Sequence, residues 1–206
     1  NWLVVAPFTH IYGFLTGVTN PLLKSGTVFI PGAFDPKFIV EKLSSEKITV
    51  FGGGPPAIYQ ALLSVEEFEN SQMPYLKVCP GGGAPFPLAV HKMWQEKTGI
   101  PIHEGYGMTE IAPISVNTVQ SGTKMGSAGK AVPDTVIEIV DIETRRKVLK
   151  PGETGDIRVR GPHMMLEYES NIEETKTTIR DGFIYNGDIG VLDDEGFLFI
   201  TDRKKT

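Results

Sequence analysis

The residues best suited to chemistry lie together in the hexapeptide Gly-Tyr-Gly-Met-Thr-Glu at positions 105–110. Its two glycines permit backbone conformations that other residues avoid and let a ligand approach the main chain closely. Tyr106 offers a flat apolar face for a ring, and Thr109 can hydrogen-bond an anionic oxygen. Glu110 supplies the hard oxygen ligand that Mg²⁺ prefers when it also holds phosphate. These features suggest a nucleotide site, while the alternative is a strand-ending turn with a core tyrosine and a capping threonine.

The composition excludes several classes of protein. The 206 residues are 40% hydrophobic, which is enough for one sizeable core or two smaller ones. A formal net charge of −5 argues against a nucleic-acid surface, and no apolar run approaches the roughly 18 residues of a membrane span. The single Cys79 lies in an apolar run and indicates a buried structural thiol in a reducing compartment. We therefore expect a cytoplasmic protein without a nucleic-acid partner or transmembrane segment, and its oligomeric state stays open.

The elements that position the hexapeptide alternate between strand and helix over the first 115 or so residues. Strand-like runs are predicted at residues 27–30, 48–51, 76–79 and 100–103. Helices are predicted over residues 36–47, after Pro55-Pro56, and up to a stop at Gly99. Such alternation predicts an α/β fold with a largely parallel sheet flanked by helices.

Three glycine-rich loops each follow one of these strands, at residues 52–54, 81–83 and 105–107. Because parallel strands end at the same edge of a sheet, the loops should lie along its carboxyl edge, where open α/β sheets bind ligands. The alternative is that the glycines only make tight turns between strand and helix.

Beyond Val119 the pattern changes to short alternating runs, which predict a smaller β-rich, barrel-like subdomain. Its strands are predicted at residues 136–140, 156–160, 190–192 and 197–200. A helix is predicted near residues 173–180, with Asn171 as its cap. We place an α/β subdomain at residues 1–122, the β-rich subdomain at 123–200, and the start of a hinge at 201–206.

The hexapeptide resembles the adenine and Mg-ATP motif of the adenylate-forming superfamily, which contains acyl-CoA synthetases, luciferases and peptide-synthetase adenylation domains. Other stretches are similar to further blocks of that family, in the right order, and they cover essentially the whole chain. They are residues 6–13 (the aromatic-histidine block), 82–85 (the adenine loop), 126–133 and 152–155 (two core blocks), 181–188 (the ribose block) and 202–205 (the hinge).

The resemblance implies a role for individual residues. Tyr106 would stack on adenine, Asp188 would accept hydrogen bonds from both ribose hydroxyls, and Arg203 would donate to the ribose. An aspartate in such a turn is otherwise more often a solvated cap. The implied nucleotide-binding residues are Gly82, Gly83, Ala84, Pro85, Gly105, Tyr106, Gly107, Asp188 and Arg203.

The implied catalytic residues are Thr109 on a phosphate oxygen, Glu110 on Mg²⁺ and His10 near the acyl carboxylate. A histidine between aromatics is otherwise usually a core residue, so His10 has two interpretations. Lys205 matches the family's hinge residue and would otherwise count as surface charge. The other histidines, His91, His103 and His163, receive no site role. His91 is predicted to be solvated on a helix surface.

The resemblance further implies an AMP-forming acid–thiol ligase that uses ATP, Mg²⁺ and CoA. The Gly-Tyr-Gly-Met-Thr-Glu form favours the acyl-CoA synthetase branch that includes long-chain-fatty-acid–CoA ligases. A fatty acid is the expected substrate, and its chain length stays open. An aryl-acid CoA ligase, a luciferase-like enzyme, a noncatalytic adenine-nucleotide-binding module and an interaction protein are the alternatives. The chain is expected to be a fragment of the large N-terminal domain. The family's phosphate loop and C-terminal lysine would lie outside it, so we expect the fragment alone to be inactive.

Overall fold

The computed structural model describes residues 1–203, apart from the side chain of Asn186. The chain forms two compact units, Asn1–Glu104 and Gly105–Thr206. The division between these units falls within a strand, whereas the subdomain division predicted near residue 122 stays a prediction. Lys205 and the rest of the predicted hinge beyond residue 203 lie outside the described residues.

The first unit alternates strands and helices as predicted. Its strands are β1 (Trp2–Val4), β2 (Val28–Phe29), β3 (Val50–Gly52), β4 (Cys79–Gly81) and the beginning of β5 (Ile102–Met108). Its α-helices are α1 (Ile11–Phe14), α2 (Asn20–Leu23), α3 (Pro36–Ser45), α4 (Pro56–Leu63) and α5 (Leu88–Thr98). A π-helical turn, Leu15–Thr19, joins α1 to α2, and a 3-10 helix, Glu66–Asn70, follows α4. Helix α5 ends at Gly99, whose φ of 72° is the left-handed cap that the glycine predicts.

The sheet of the first unit is parallel, which confirms the predicted α/β class. Strand β1 lies between β2 and β3, and both pairings are parallel. Parallel bridges from Val50 to Val78 and from Gly54 to Gly81 continue the sheet towards β4, which pairs in parallel with residues 102–104 of β5. The carboxyl ends of β3 and β4 therefore meet at one edge.

An aromatic cluster fixes two helices to this sheet. Phe51 on β3, Tyr59 on α4 and Trp94 on α5 are all 0% exposed. The rings of Tyr59 and Trp94 meet edge to face with centroids 4.8 Å apart, and those of Phe51 and Tyr59 lie 5.4 Å apart. Contacts of this kind add to the free energy gained from burial, so α4 and α5 hold the loops that precede them in fixed positions.

The second unit is β-rich, as predicted, and its strands are antiparallel. The elements are β6 (Ile111–Val116), β7 (Lys130–Ala131), β8 (Val136–Val140), β9 (Gly155–Arg160), α6 (Ile172–Thr178), β10 (Ile179–Arg180), β11 (Phe183–Leu192) and β12 (Leu198–Arg203). Strand β11 carries β9 on one side and β10 and β12 on the other, and β8 extends the sheet beyond β9. Residues 105–108 of β5 pair with β6, and β6 pairs with β7. Across the described residues these sheets are open and do not close into a barrel.

The helix predicted in this unit is confirmed together with its cap. The side chain of Asn171 accepts a hydrogen bond from the backbone N–H of Glu174 at 3.2 Å, which satisfies one of the open donors at the start of α6. Within residues 1–203, no helix has both the length and the apolar character needed to cross a bilayer.

Cys79 is free and buried, and this burial generates a first prediction. Burial raises the pKa of its thiol from 9.0 to about 12. At pH 8 we expect a disulfide reagent to leave Cys79 of the folded full-length protein unmodified, and to modify it once denaturant unfolds the protein. Mass spectrometry of the peptide that contains Cys79 measures this. The folded protein keeps this thiol protonated. The contribution of the buried thiol to the free energy of unfolding is therefore fully present below pH 9, and it is lost as the pH rises towards 12. Full modification under native conditions would contradict the buried placement.

Candidate functional site

Tyrosine hydroxyls hold two glycine loops of the first unit side by side. The hydroxyl of Tyr12 accepts from the backbone N–H of Gly54 at 3.2 Å and donates to the carbonyl of Pro80 at 2.9 Å. Tyr59 donates to the same carbonyl at 2.7 Å, and the N–H of Gly82 donates to the carbonyl of Gly54 at 3.1 Å. Burial raises the pKa of both phenols, so both remain protonated donors. The loops after β3 and β4 therefore converge at the carboxyl edge, as predicted. The third predicted loop, residues 105–107, is wrong, because these residues lie within strand β5.

The predicted adenine loop presents backbone to solvent. Gly82 is buried, whereas Gly83, Ala84 and Pro85 are exposed. Gly83 has a φ of 85°, and no atom lies within 4 Å of the position that a Cβ would take. The open space beside this main chain suits a planar ring that is recognised by backbone groups. Its role in binding adenine stays a prediction.

His10 is an exposed cap and not a core residue. Its Nδ1 accepts the backbone N–H of Tyr12 at 3.1 Å, at the start of α1. In a neutral ring the proton then lies on Nε2, which can donate to an anionic oxygen. The predicted position near an acyl carboxylate is compatible with this tautomer and stays a prediction.

The prediction that His91 is solvated is wrong. His91 is 4% exposed, and its Nε2 lies 3.1 Å from Oε2 of Glu104, which is 8% exposed. The rings of His91 and Phe86 lie 5.3 Å apart. Helical spacing alone could not reveal this pair, because the buried face of α5 includes the adjacent Val90 and His91 as well as Trp94. The pair links α5 to the last residue of the first unit.

In the second unit, three predicted nucleotide-binding residues come together. The hydroxyl of Tyr106 donates to Oδ2 of Asp188 at 2.5 Å. Nε of Arg203 lies 3.5 Å from Oδ1 of the same carboxylate, and the two residues are paired across β11 and β12. Asp188 is 8% exposed, so the alternative of a solvated cap does not hold. A buried carboxylate between a phenol and a guanidinium is a preorganised acceptor for hydroxyl groups. Gly105 and Gly107 flank Tyr106 on β5.

The predicted metal ligand has partners that the sequence did not reveal. Glu110 lies between β5 and β6, and its Oε1 accepts the hydroxyl of Tyr168 at 2.5 Å. Its main-chain carbonyl accepts the N–H of Met165 at 2.7 Å. Burial and the bonded carboxylate raise the pKa of Tyr168, so it remains a donor. Thr109 is exposed beside it. No local motif marks Tyr168, because it lies 58 residues from its partner.

Glu110 fits a magnesium ion that is bound mainly through a ligand's phosphates. The described residues contain no cluster of three or more histidine, cysteine or acidic side chains able to hold a metal. Mg²⁺ in nucleotide sites usually keeps several waters and takes only one or two carboxylates from the protein. A single held carboxylate therefore suits a shared metal, and not a cage made by protein alone.

Comparison with known proteins identifies the family. The family model described as AMP-binding enzyme matches residues 1–169. This chain is a member of the AMP-binding enzyme family. A long-chain-fatty-acid–CoA ligase of Bacillus subtilis (strain 168) is 37% identical over 206 residues, which cover 98% of this chain and 36% of the ligase. A feruloyl-CoA synthase of an Amycolatopsis species is 32% identical over 205 residues, which cover 98% of this chain and 41% of the synthase.

Solved structures of AMP-binding enzymes share the fold. The ATP-bound MatB of Rhodopseudomonas palustris has a TM-score of 0.90 and 30% identity, over 98% of this chain and 40% of MatB. The anthranilate CoA ligase AuaEII in complex with anthranoyl-AMP has a TM-score of 0.89 and 25% identity, over 98% of this chain and 39% of that ligase. The chain thus spans between 36% and 41% of the length of these four proteins.

The buried pair in the first unit gives a second prediction. We expect His91→Ala to lower the free energy of unfolding by about 3 kcal/mol, because it removes the imidazole partner of a buried carboxyl. Glu104→Gln, which keeps an oxygen acceptor for Nε2, should cost less. Lys92→Ala, at an exposed position of the same helix, is the control and should cost under about 0.5 kcal/mol. Urea unfolding of the full-length variants measures the differences, and equal stability of His91→Ala and the control would contradict the importance of the pair.

Proposed function

We propose that this chain is part of an AMP-forming acyl-CoA synthetase. The whole enzyme would join a carboxylic acid to ATP, giving acyl-AMP and pyrophosphate, and would then transfer the acyl group to the thiol of CoA with release of AMP. The observation that carries the proposal is the carboxylate of Asp188, held by Tyr106 and Arg203 in a member of the AMP-binding enzyme family.

The chemistry of Asp188 suits a ribose. A carboxylate accepts hydrogen bonds at both of its oxygens, which suits the two adjacent hydroxyls of a ribose. The phenol ring of Tyr106, whose hydroxyl is bound to this carboxylate, would then lie beside the base. The side chain of Arg203 is 75% exposed, so its positive charge is able to reach a ligand.

Thr109 and Glu110 suit the phosphate end of the same nucleotide. A hydroxyl can donate to a phosphate oxygen, and a carboxylate can bind the metal that the phosphates share. When bound, Mg²⁺ would neutralise the charge that develops on the phosphate oxygens during transfer. The chain's own contribution is to hold the Glu110 carboxylate in place before the nucleotide arrives.

The acid substrate is proposed from the relatives. The 37% identity to a long-chain-fatty-acid–CoA ligase makes a fatty acid our first choice, and the 32% identity to a feruloyl-CoA synthase keeps an aryl acid as the second. CoA as acceptor and a cytoplasmic location are part of the same proposal. The 206 residues alone are proposed to be inactive, because they span 36% of the fatty-acid ligase.

A third prediction tests the reaction. The full-length protein should release pyrophosphate from ATP when it is given long-chain fatty acids, and it should form acyl-CoA only when CoA is added. The isolated 206-residue chain should release none. A panel of fatty, aryl and short dicarboxylic acids identifies the acid class. Nucleotide binding without pyrophosphate release from any acid would contradict the synthetase and favour a noncatalytic nucleotide-binding module. The absence of any nucleotide binding would contradict both.

A fourth prediction tests the ribose site directly. Asp188→Asn in the full-length protein should weaken AMP binding by about 10- to 100-fold, because it removes a charged acceptor of the ribose hydroxyls. Calorimetry measures the dissociation constant. Asp194→Asn makes the same change of charge at an exposed turn and should leave the constant unchanged. If both variants bind AMP like the parent protein, Asp188 is not the ribose acceptor.

A further inference from the structure

We propose that Tyr168 is a positioning residue for Glu110, and that the loop at residues 161–171 keeps this carboxylate oriented towards the metal of the bound nucleotide. The inference rests on the proposed function, because it takes Glu110 as the metal ligand. It adds to that function a residue and a loop to which the sequence assigned no role.

The loop contacts Glu110 at two points. The hydroxyl of Tyr168 donates to Oε1 at 2.5 Å, at the short end of the range for a hydrogen bond to a carboxylate. The N–H of Met165 donates to the main-chain carbonyl of Glu110 at 2.7 Å. A glutamate side chain that becomes ordered loses up to about 2 kcal/mol of rotamer entropy. Fixing both ends of Glu110 in advance removes that cost from metal binding.

The loop is itself tied to its surroundings on both sides of Tyr168. The N–H of Tyr168 donates to the hydroxyl of Thr175 on α6 at 2.9 Å, and its carbonyl accepts the N–H of Asn171 at 3.1 Å. Towards its start, Nε2 of His163 lies 2.7 Å from the carbonyl of Pro113 on β6. The position of the Glu110 carboxylate therefore depends, through Tyr168, on the position of helix α6.

The hydrogen bond also distinguishes the two carboxylate oxygens. Because the phenol bonds to Oε1, Glu110 would offer Oε2 to a metal that needs only one oxygen from this residue. A hydroxyl donor on the other oxygen fixes the plane of the carboxylate, as the outer partners of metal ligands usually do. Leu166 lies in the sequence between the two contacting residues, Met165 and Tyr168, and its side chain is 92% exposed.

The test uses Tyr168→Phe in the full-length protein, with Tyr75→Phe as the matched control because Tyr75 is 43% exposed in the first unit. Binding of Mn²⁺ to the protein–ATP complex is followed by electron paramagnetic resonance, and ATP binding without metal is followed by calorimetry. We expect Tyr168→Phe to raise the dissociation constant for Mn²⁺ about 10-fold or more, with metal-free ATP binding unchanged. Pyrophosphate release should recover at high Mg²⁺ concentration. The control should match the parent protein throughout.

Two outcomes would overturn the inference. An unchanged Mn²⁺ dissociation constant would show that the phenol does not orient the carboxylate, and an equal weakening of metal-free ATP binding would show a general structural role. Nucleotide binding by the parent protein separates these two outcomes from failure of the proposed function. If the parent protein binds no nucleotide, the proposed function is contradicted as well. Thr175→Val, which removes the partner of the Tyr168 N–H, is a second variant should Tyr168→Phe not fold. It should weaken Mn²⁺ binding in the same direction, by a smaller factor.

Discussion

A hydrogen bond of 2.5 Å from the hydroxyl of Tyr106 to the carboxylate of Asp188 joins two residues that are 82 positions apart in the chain. Strand pairing places each of the two residues, with Tyr106 on β5 opposite Ser115 on β6 and Asp188 on β11 opposite Arg203 on β12. Both pairings contain a register irregularity, one between Tyr106 and Met108 and the other between Ile189 and Gly190. A shift of one residue reverses the face on which each side chain lies, so the irregularities help decide which residues reach the site.

Tyrosine hydroxyls hold several of the candidate functional groups in the described part of this protein. Tyr12 and Tyr59 converge on the carbonyl of Pro80, Tyr106 binds Asp188, and Tyr168 binds Glu110. A phenol suits this use because its rigid ring packs with apolar neighbours while its hydroxyl reaches a polar group. Burial keeps the proton in place at Tyr12, Tyr59 and Tyr168 by raising their pKa. The same packing that stabilises each unit therefore also positions its polar groups.

The sequence predicted what depends on neighbours along the chain and missed what depends on distant ones. Periodicity and caps located α3, α6 and β8 within a few residues, because their signals lie inside each element. The resemblance supplied Asp188 and Arg203, which no local pattern would have brought together. Strand β1 was not predicted, and the buried His91 on α5 was misjudged because its partner, Glu104, lies on β5. Tyr168 was missed for the same reason.

The most direct measurement is a crystal structure of the full-length protein with bound AMP. We expect both ribose hydroxyls within about 3 Å of the Asp188 carboxylate oxygens, with the ring of Tyr106 against the adenine. A nucleotide whose ribose lies away from Asp188, with that carboxylate bonded only to protein groups, would contradict the proposed ribose site.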